Sequence, residues 1–82
     1  MGKRMSNDHT DAVKAFGTRL RALRRRLGWS QEKLALEAGL DRTYVSGIER
    51  GLRNISLRNI HRLAEALDVP PADLLKNSVD PE

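Results

Sequence analysis

Apolar residues recur along this chain at helical spacing, and no stretch alternates apolar and polar positions as a half-buried strand would. The first run is Val13, Phe16, Leu20, Leu23 and Leu27, spaced 3, 4, 3 and 4. That spacing predicts one continuous buried stripe on a helix beginning near Asp11, with Gly28 as its C-terminal cap. Ser30 is a good N-cap for a second helix, with Glu32 in the first turn and Leu34, Ala35 and Ala38 on the buried side. Gly39 stops it after about two turns. Asp41 suits the cap of a third helix, where Leu40 and Val45 can form a hydrophobic staple. Gly51 ends that helix, and Arg53 and Asn54 follow in a loop. Ser56 caps a fourth helix with the stripe Leu57, Ile60, Leu63, Ala64 and Leu67. Pro71 fits the first position of a short fifth helix in "VPPADLL". The expectation is an all-α domain of five helices over residues 11–76. A disordered polar arm precedes it at 1–10, and a frayed acidic tail follows at 77–82.

The third helix breaks the pattern of the others. Its buried side needs only Val45 and Ile48, while Arg42, Thr43, Ser46 and Gly47 fall on one face predicted to be exposed. Glycine inside a helix costs about 1 kcal/mol relative to alanine, so a small, polar face there asks for a reason. Two short helices joined by a tight turn containing glycine form a helix-turn-helix. Ser30–Ala38, Gly39-Leu40-Asp41 and Arg42–Arg50 meet that description. A helix that enters the major groove of DNA needs hydrogen-bonding side chains and little bulk. Arg42 stands at the N-terminal end, where a recognition helix reads bases. Gly47 is expected to let the backbone approach the duplex.

Charge strengthens this reading. Residues 1–62 carry 14 basic and 6 acidic side chains, a balance of +8, whereas residues 63–82 carry 1 basic and 5 acidic, a balance of −4. A basic body points to a polyanionic partner on one side, with nucleic acid first and an anionic membrane second. There is no cysteine among the 82 residues, so disulfides and thiolate metal sites are excluded and a reducing, cytoplasmic setting is expected. His9 and His61 lack ligand-like neighbours, and neither a metal nor another cofactor is expected. "MGKRMS" matches a short myristoylation pattern and "Asn54-Ile55-Ser56" a glycosylation acceptor. Both are read as incidental. No apolar run reaches the ~18 residues of a membrane span.

The string "WSQEKLALEAGLDRTYVSGIERGLRNISLRNIHRLAEALDVPPADLL" resembles the phage repressor/Cro-like, or Xre-like, helix-turn-helix family. The likeness covers about residues 13–75. Within the family, "LDRTYVSGIERGLRN" is most similar to controller proteins of restriction-modification systems, which are small dimeric regulators. The resemblance implies that Gln31 contacts a phosphate and steadies the recognition helix. It places Arg42, Thr43 and Ser46 at bases and Tyr44 along the sugar-phosphate backbone. Arg50, Arg53 and Asn54 would hold phosphates, and Glu49 would pair with Arg24 as a scaffold. Gly47 departs from relatives with a long polar side chain there. Pro70 replaces a hydroxyl residue and loses a cap. The implied partners are double-stranded DNA, a second copy of the chain and, as an option, RNA polymerase.

Other classes fit less well. No nucleophile–base constellation, apolar carboxylate pair or phosphate-cradling glycine loop suggests an enzyme. An antitoxin-type interaction module that also binds DNA is the main alternative, but it would favour a longer apolar extension than residues 76–82. A membrane-surface role for the first helix competes with the core for its apolar stripe. The expectation is therefore a sequence-specific regulator of transcription. It acts as a homodimer on a palindromic operator with half-sites about one turn, ~34 Å, apart. Leu67, Val69, Leu74 and Leu75 are candidates for the dimer surface, with burial in the core an equal alternative for each.

Overall fold

The computed structural model describes residues 8–76. Five helices follow in order: α1 (Asp8–Arg26), α2 (Gln31–Ala38), α3 (Arg42–Glu49), α4 (Leu57–Leu67) and α5 (Pro71–Leu74). Among the described residues there is no strand. Nor is any helix long and apolar enough to cross a membrane. The expected start near Asp11 is one turn late, and residues 8–10 of the expected arm are helical. Neither proline nor glycine lies between residues 8 and 13 to stop the helix from extending backward. The rest of the expected arm, the myristoylation pattern and the acidic tail lie outside the described residues.

The helices enclose one core in which Leu20, Leu34, Val45, Ile48, Leu63 and Leu74 are fully buried. Each such side chain contributes about 1.5–3 kcal/mol relative to exposure. Three members of the predicted stripes fall outside it, of which Val13 is half-buried at the start of the first stripe. Leu27 lies past the end of α1, in the turn set by the left-handed Gly28, and is exposed. Leu57 is the first residue of α4, one turn before the buried Ile60, and is 71% exposed.

The caps follow local chemistry in part. The Ser30 hydroxyl accepts from the Lys33 amide at 3.0 Å, and the Ser56 hydroxyl accepts from the Asn59 amide at 3.1 Å. Asp41 occupies the N-cap of α3, but its side chain makes no capping bond, contrary to expectation. Pro70 leaves α5 without a side-chain cap, as expected from the loss of a hydroxyl there. Gly39 ends α2 at φ 71°, and its amide and that of Leu40 bond back to Leu36 and Ala35. This left-handed turn aims α3 across α2.

Long-range contacts fix the arrangement. A Cβ at Gly17 would overlap the carbonyl oxygen of Ile48 and stand 2.8 Å from that of Glu49. Only glycine permits α1 to approach the end of α3 so closely. Arg19 Nε donates to the Asp73 carbonyl at 2.7 Å and ties α1 to α5.

Candidate nucleic-acid interface

The position of α3 is set from beneath by a buried ion pair. Arg24 Nε and Nη2 donate to the two carboxylate oxygens of Glu49 at 2.7 and 2.9 Å. Arg24 Nη1 donates to the Trp29 carbonyl at 2.7 Å, in the loop before α2. Gln31 Nε2 reaches Glu49 at 3.0 Å, and Arg21 Nε adds a longer contact at 3.4 Å. One carboxylate thus joins α1, α2 and the last residue of α3. Burial pushes the Glu49 carboxyl up. The hydrogen bonds from Arg24 and Gln31, with the charge of Arg24, outweigh burial and hold it below the ordinary value. The hydrogen bond to Glu49 raises the Arg24 guanidinium, against a smaller opposing effect of burial.

Above this scaffold α3 presents part of the expected face. Arg42 and Thr43 are exposed, and Ser46 is half-buried. Gly47 is buried, which corrects the expectation that it lies open to the duplex. The Arg53 side chain covers it, with Cγ 2.7 Å from where a Cβ would sit. This lid comes from outside the helix, so helical periodicity could not show it. Arg50, Arg53 and Asn54 are exposed at the end of α3 and in the loop that follows.

Gln31 sits in the first turn of α2 with its amide turned to Glu49. It therefore steadies α3, while its second amide hydrogen is left for another acceptor. Tyr44 is half-buried, and its hydroxyl accepts from Asn59 Nδ2 at 3.0 Å. Asn59 did not figure in the sequence reading. Fifteen residues separate the two, and no local signal marks the pairing.

The candidate dimer residues divide. Leu67 and Leu74 belong to the monomer core, at 3% and 0% exposure, so the interface assignment is corrected for these two. Both face the centre where α4 packs against α5. Val69 is partly buried against the core, and Leu75 remains 64% exposed.

This geometry has known counterparts. A helix-turn-helix family model matches residues 20–74. The control protein C.BamHI of Bacillus amyloliquefaciens is 54% identical over 61 residues, which cover 73% of this chain and 75% of the relative. The crystal structure of the restriction-modification controller protein C.AhdI from Aeromonas hydrophila is 61% identical, with a TM-score of 0.74 over 78% of this chain and 96% of the other. The controller protein C.Esp1396I, solved as a tetramer with its natural 35-base-pair operator, is 30% identical. Its TM-score is 0.69 over 79% of this chain and 96% of the other. With its α2–turn–α3 unit, its braced third helix and these likenesses, the chain belongs to the helix-turn-helix family and is similar to restriction-modification controller proteins.

Proposed function

We propose that this protein is a sequence-specific DNA-binding regulator of transcription, of the restriction-modification controller type, acting in the cytoplasm as a homodimer on a palindromic operator. The observation that carries the reading is the exposed N-terminal end of α3. Arg42 and Thr43 project there from a helix held in place by the buried Arg24–Glu49 pair. A rigid scaffold with hydrogen-bonding side chains at the start of α3 is what reading base edges requires. Arg42 fits the adjacent O6 and N7 acceptors of guanine, with Thr43 and Ser46 at neighbouring positions. Arg50, Arg53, Asn54 and the start of α2 supply contacts to phosphates, which set register and general affinity. The complex of C.Esp1396I with its operator supports the same use of this fold.

A dimer follows from the short reach of one recognition helix. Leu75 is the best candidate for its surface. It rims an apolar cleft of about 180 Å³ with Val13, Phe16 and Ile55. RNA polymerase is a further partner for a regulator of this kind.

Selection of bound duplexes from a random pool, with sedimentation of the complex, tests the reading. The expected result is a two-fold symmetric sequence with half-sites about one helical turn apart, bound by two chains, with affinity falling steeply as salt rises. Binding with no enriched sequence would overturn it.

A further inference from the structure

Arg53 does not extend freely from its loop. Its side chain lies back across α3, with Cγ and Cδ 2.7 and 3.6 Å from the position a Cβ at residue 47 would take. Its guanidinium carbon stands 5.1 Å from the centroid of the Tyr44 ring. That separation is within the range of a cation–π contact. The Tyr44 ring is itself held, because its hydroxyl accepts from Asn59 Nδ2 at 3.0 Å. Asn59 is fixed in turn at the start of α4, where its backbone amide donates to the capping hydroxyl of Ser56. A notch, a shelf and a pin thus meet at one exposed arginine.

We infer that Gly47, Tyr44 and Asn59 are positioning residues that seat the Arg53 guanidinium for contact with the DNA backbone, and that residue 47 is glycine to admit Arg53. The inference rests on the DNA-binding function proposed above. A guanidinium that stacks on a ring uses its face there and keeps its N–H edge free. That edge is the part that matches two phosphate oxygens. A seated arginine loses less rotamer freedom on binding than one swinging in solvent, so the seat raises affinity without touching DNA itself. Gly47 is the cleanest of the three, because it is buried beneath Arg53.

The test measures affinity for the selected duplex in Gly47→Ala, Tyr44→Phe, Tyr44→Leu and Asn59→Ala. Each is made alone and together with Arg53→Ala. Gly47→Ala is expected to leave Tm close to that of the parent, since the better helix propensity of alanine offsets the lost contact between Arg53 and Tyr44, while weakening binding by roughly two- to ten-fold, the cost of ordering one rotamer-rich side chain on binding. Weakened binding without a loss of stability is not the mark of a structural defect. Tyr44→Phe keeps the ring and should bind better than Tyr44→Leu. In the Arg53→Ala background Gly47→Ala should change affinity no further. NMR relaxation at the Arg53 Nε of the free protein should show an ordered side chain in the parent and a mobile one in Gly47→Ala. Unchanged affinity in Gly47→Ala would overturn the inference, and so would a loss that adds fully to that of Arg53→Ala. If the parent binds no duplex, the functional reading falls. The relaxation measurement then still decides the seat, and a mobile Arg53 in the parent overturns it.

Discussion

Replacing Arg24 with alanine removes three side-chain hydrogen bonds at once, two to Glu49 and one to the Trp29 carbonyl. Glu49 stays where it is, 4% exposed, with only Gln31 at 3.0 Å and Arg21 at 3.4 Å to compensate its charge. Deleting one partner of a buried ion pair costs about 3–5 kcal/mol, because the other is left charged and desolvated. A chain of 82 residues holds about 4–12 kcal/mol of stability in total at the usual ~0.05–0.15 kcal/mol per residue. Arg24→Ala should therefore remove a large fraction of the stability, at about 4–8 °C of Tm for each kcal/mol. Urea denaturation followed by circular dichroism measures it. The double change Arg24→Met with Glu49→Leu removes both charges and should recover most of the loss. A loss below about 1 kcal/mol in Arg24→Ala, the range of a solvent-exposed pair, would refute the claim that this pair braces α3.

The same carboxylate makes stability depend on pH. Its folded-state value is depressed, so its contribution is present above the unfolded carboxylate value of about 4.3 and is lost as pH falls through the folded value. Denaturation curves from neutral to acid pH should show this fall, and Glu49→Gln should remove its share of the slope. Ser30→Ala and Ser56→Ala should each cost about 1 kcal/mol, while Asp41→Ala should cost clearly less, since its side chain caps nothing. Thermal melts of the three variants decide it. Leu74→Asp should abolish folding, because Leu74 is fully buried, whereas Leu75→Asp should leave a folded monomer that binds the operator poorly. Sedimentation together with circular dichroism separates these outcomes.

Local chemistry made much of this molecule legible from sequence. Ser30 and Ser56 cap helices because a hydroxyl three residues from a free amide is enough to do so. Gly39 marks the turn between α2 and α3 because a left-handed residue ends helices whatever surrounds them. What escaped depends on residues distant in the chain. Helical spacing alone places Gly47 on an outer face, but the Arg53 side chain returns from the loop to cover it. Nothing near Gly17 in the sequence shows why glycine stands there, because the carbonyls that exclude a Cβ belong to Ile48 and Glu49 of α3. Core and dimer surface stood as equal alternatives for Leu67 and Leu74, because the volume between α4 and α5 cannot be read from either helix alone, and both residues are buried in the core. Asp68 ends α4 in a left-handed conformation, at φ 59°, where no glycine announces the stop. The Arg24–Glu49 pairing was expected only through resemblance, since 25 residues separate the partners.

The central claim is that α3 reads DNA through its N-terminal end, and the binding profile of Arg42→Ala over a randomised duplex pool tests it most directly. Arg42 is exposed and makes no side-chain hydrogen bond to the rest of the described chain, so the stability of Arg42→Ala should stay within about 0.5 kcal/mol of the parent. Affinity for the selected operator should fall by about 1–3 kcal/mol, with the base preference relaxed at one position per half-site and kept elsewhere. An Arg42→Ala protein that selects the same sequence with the same preference at every position would contradict the claim.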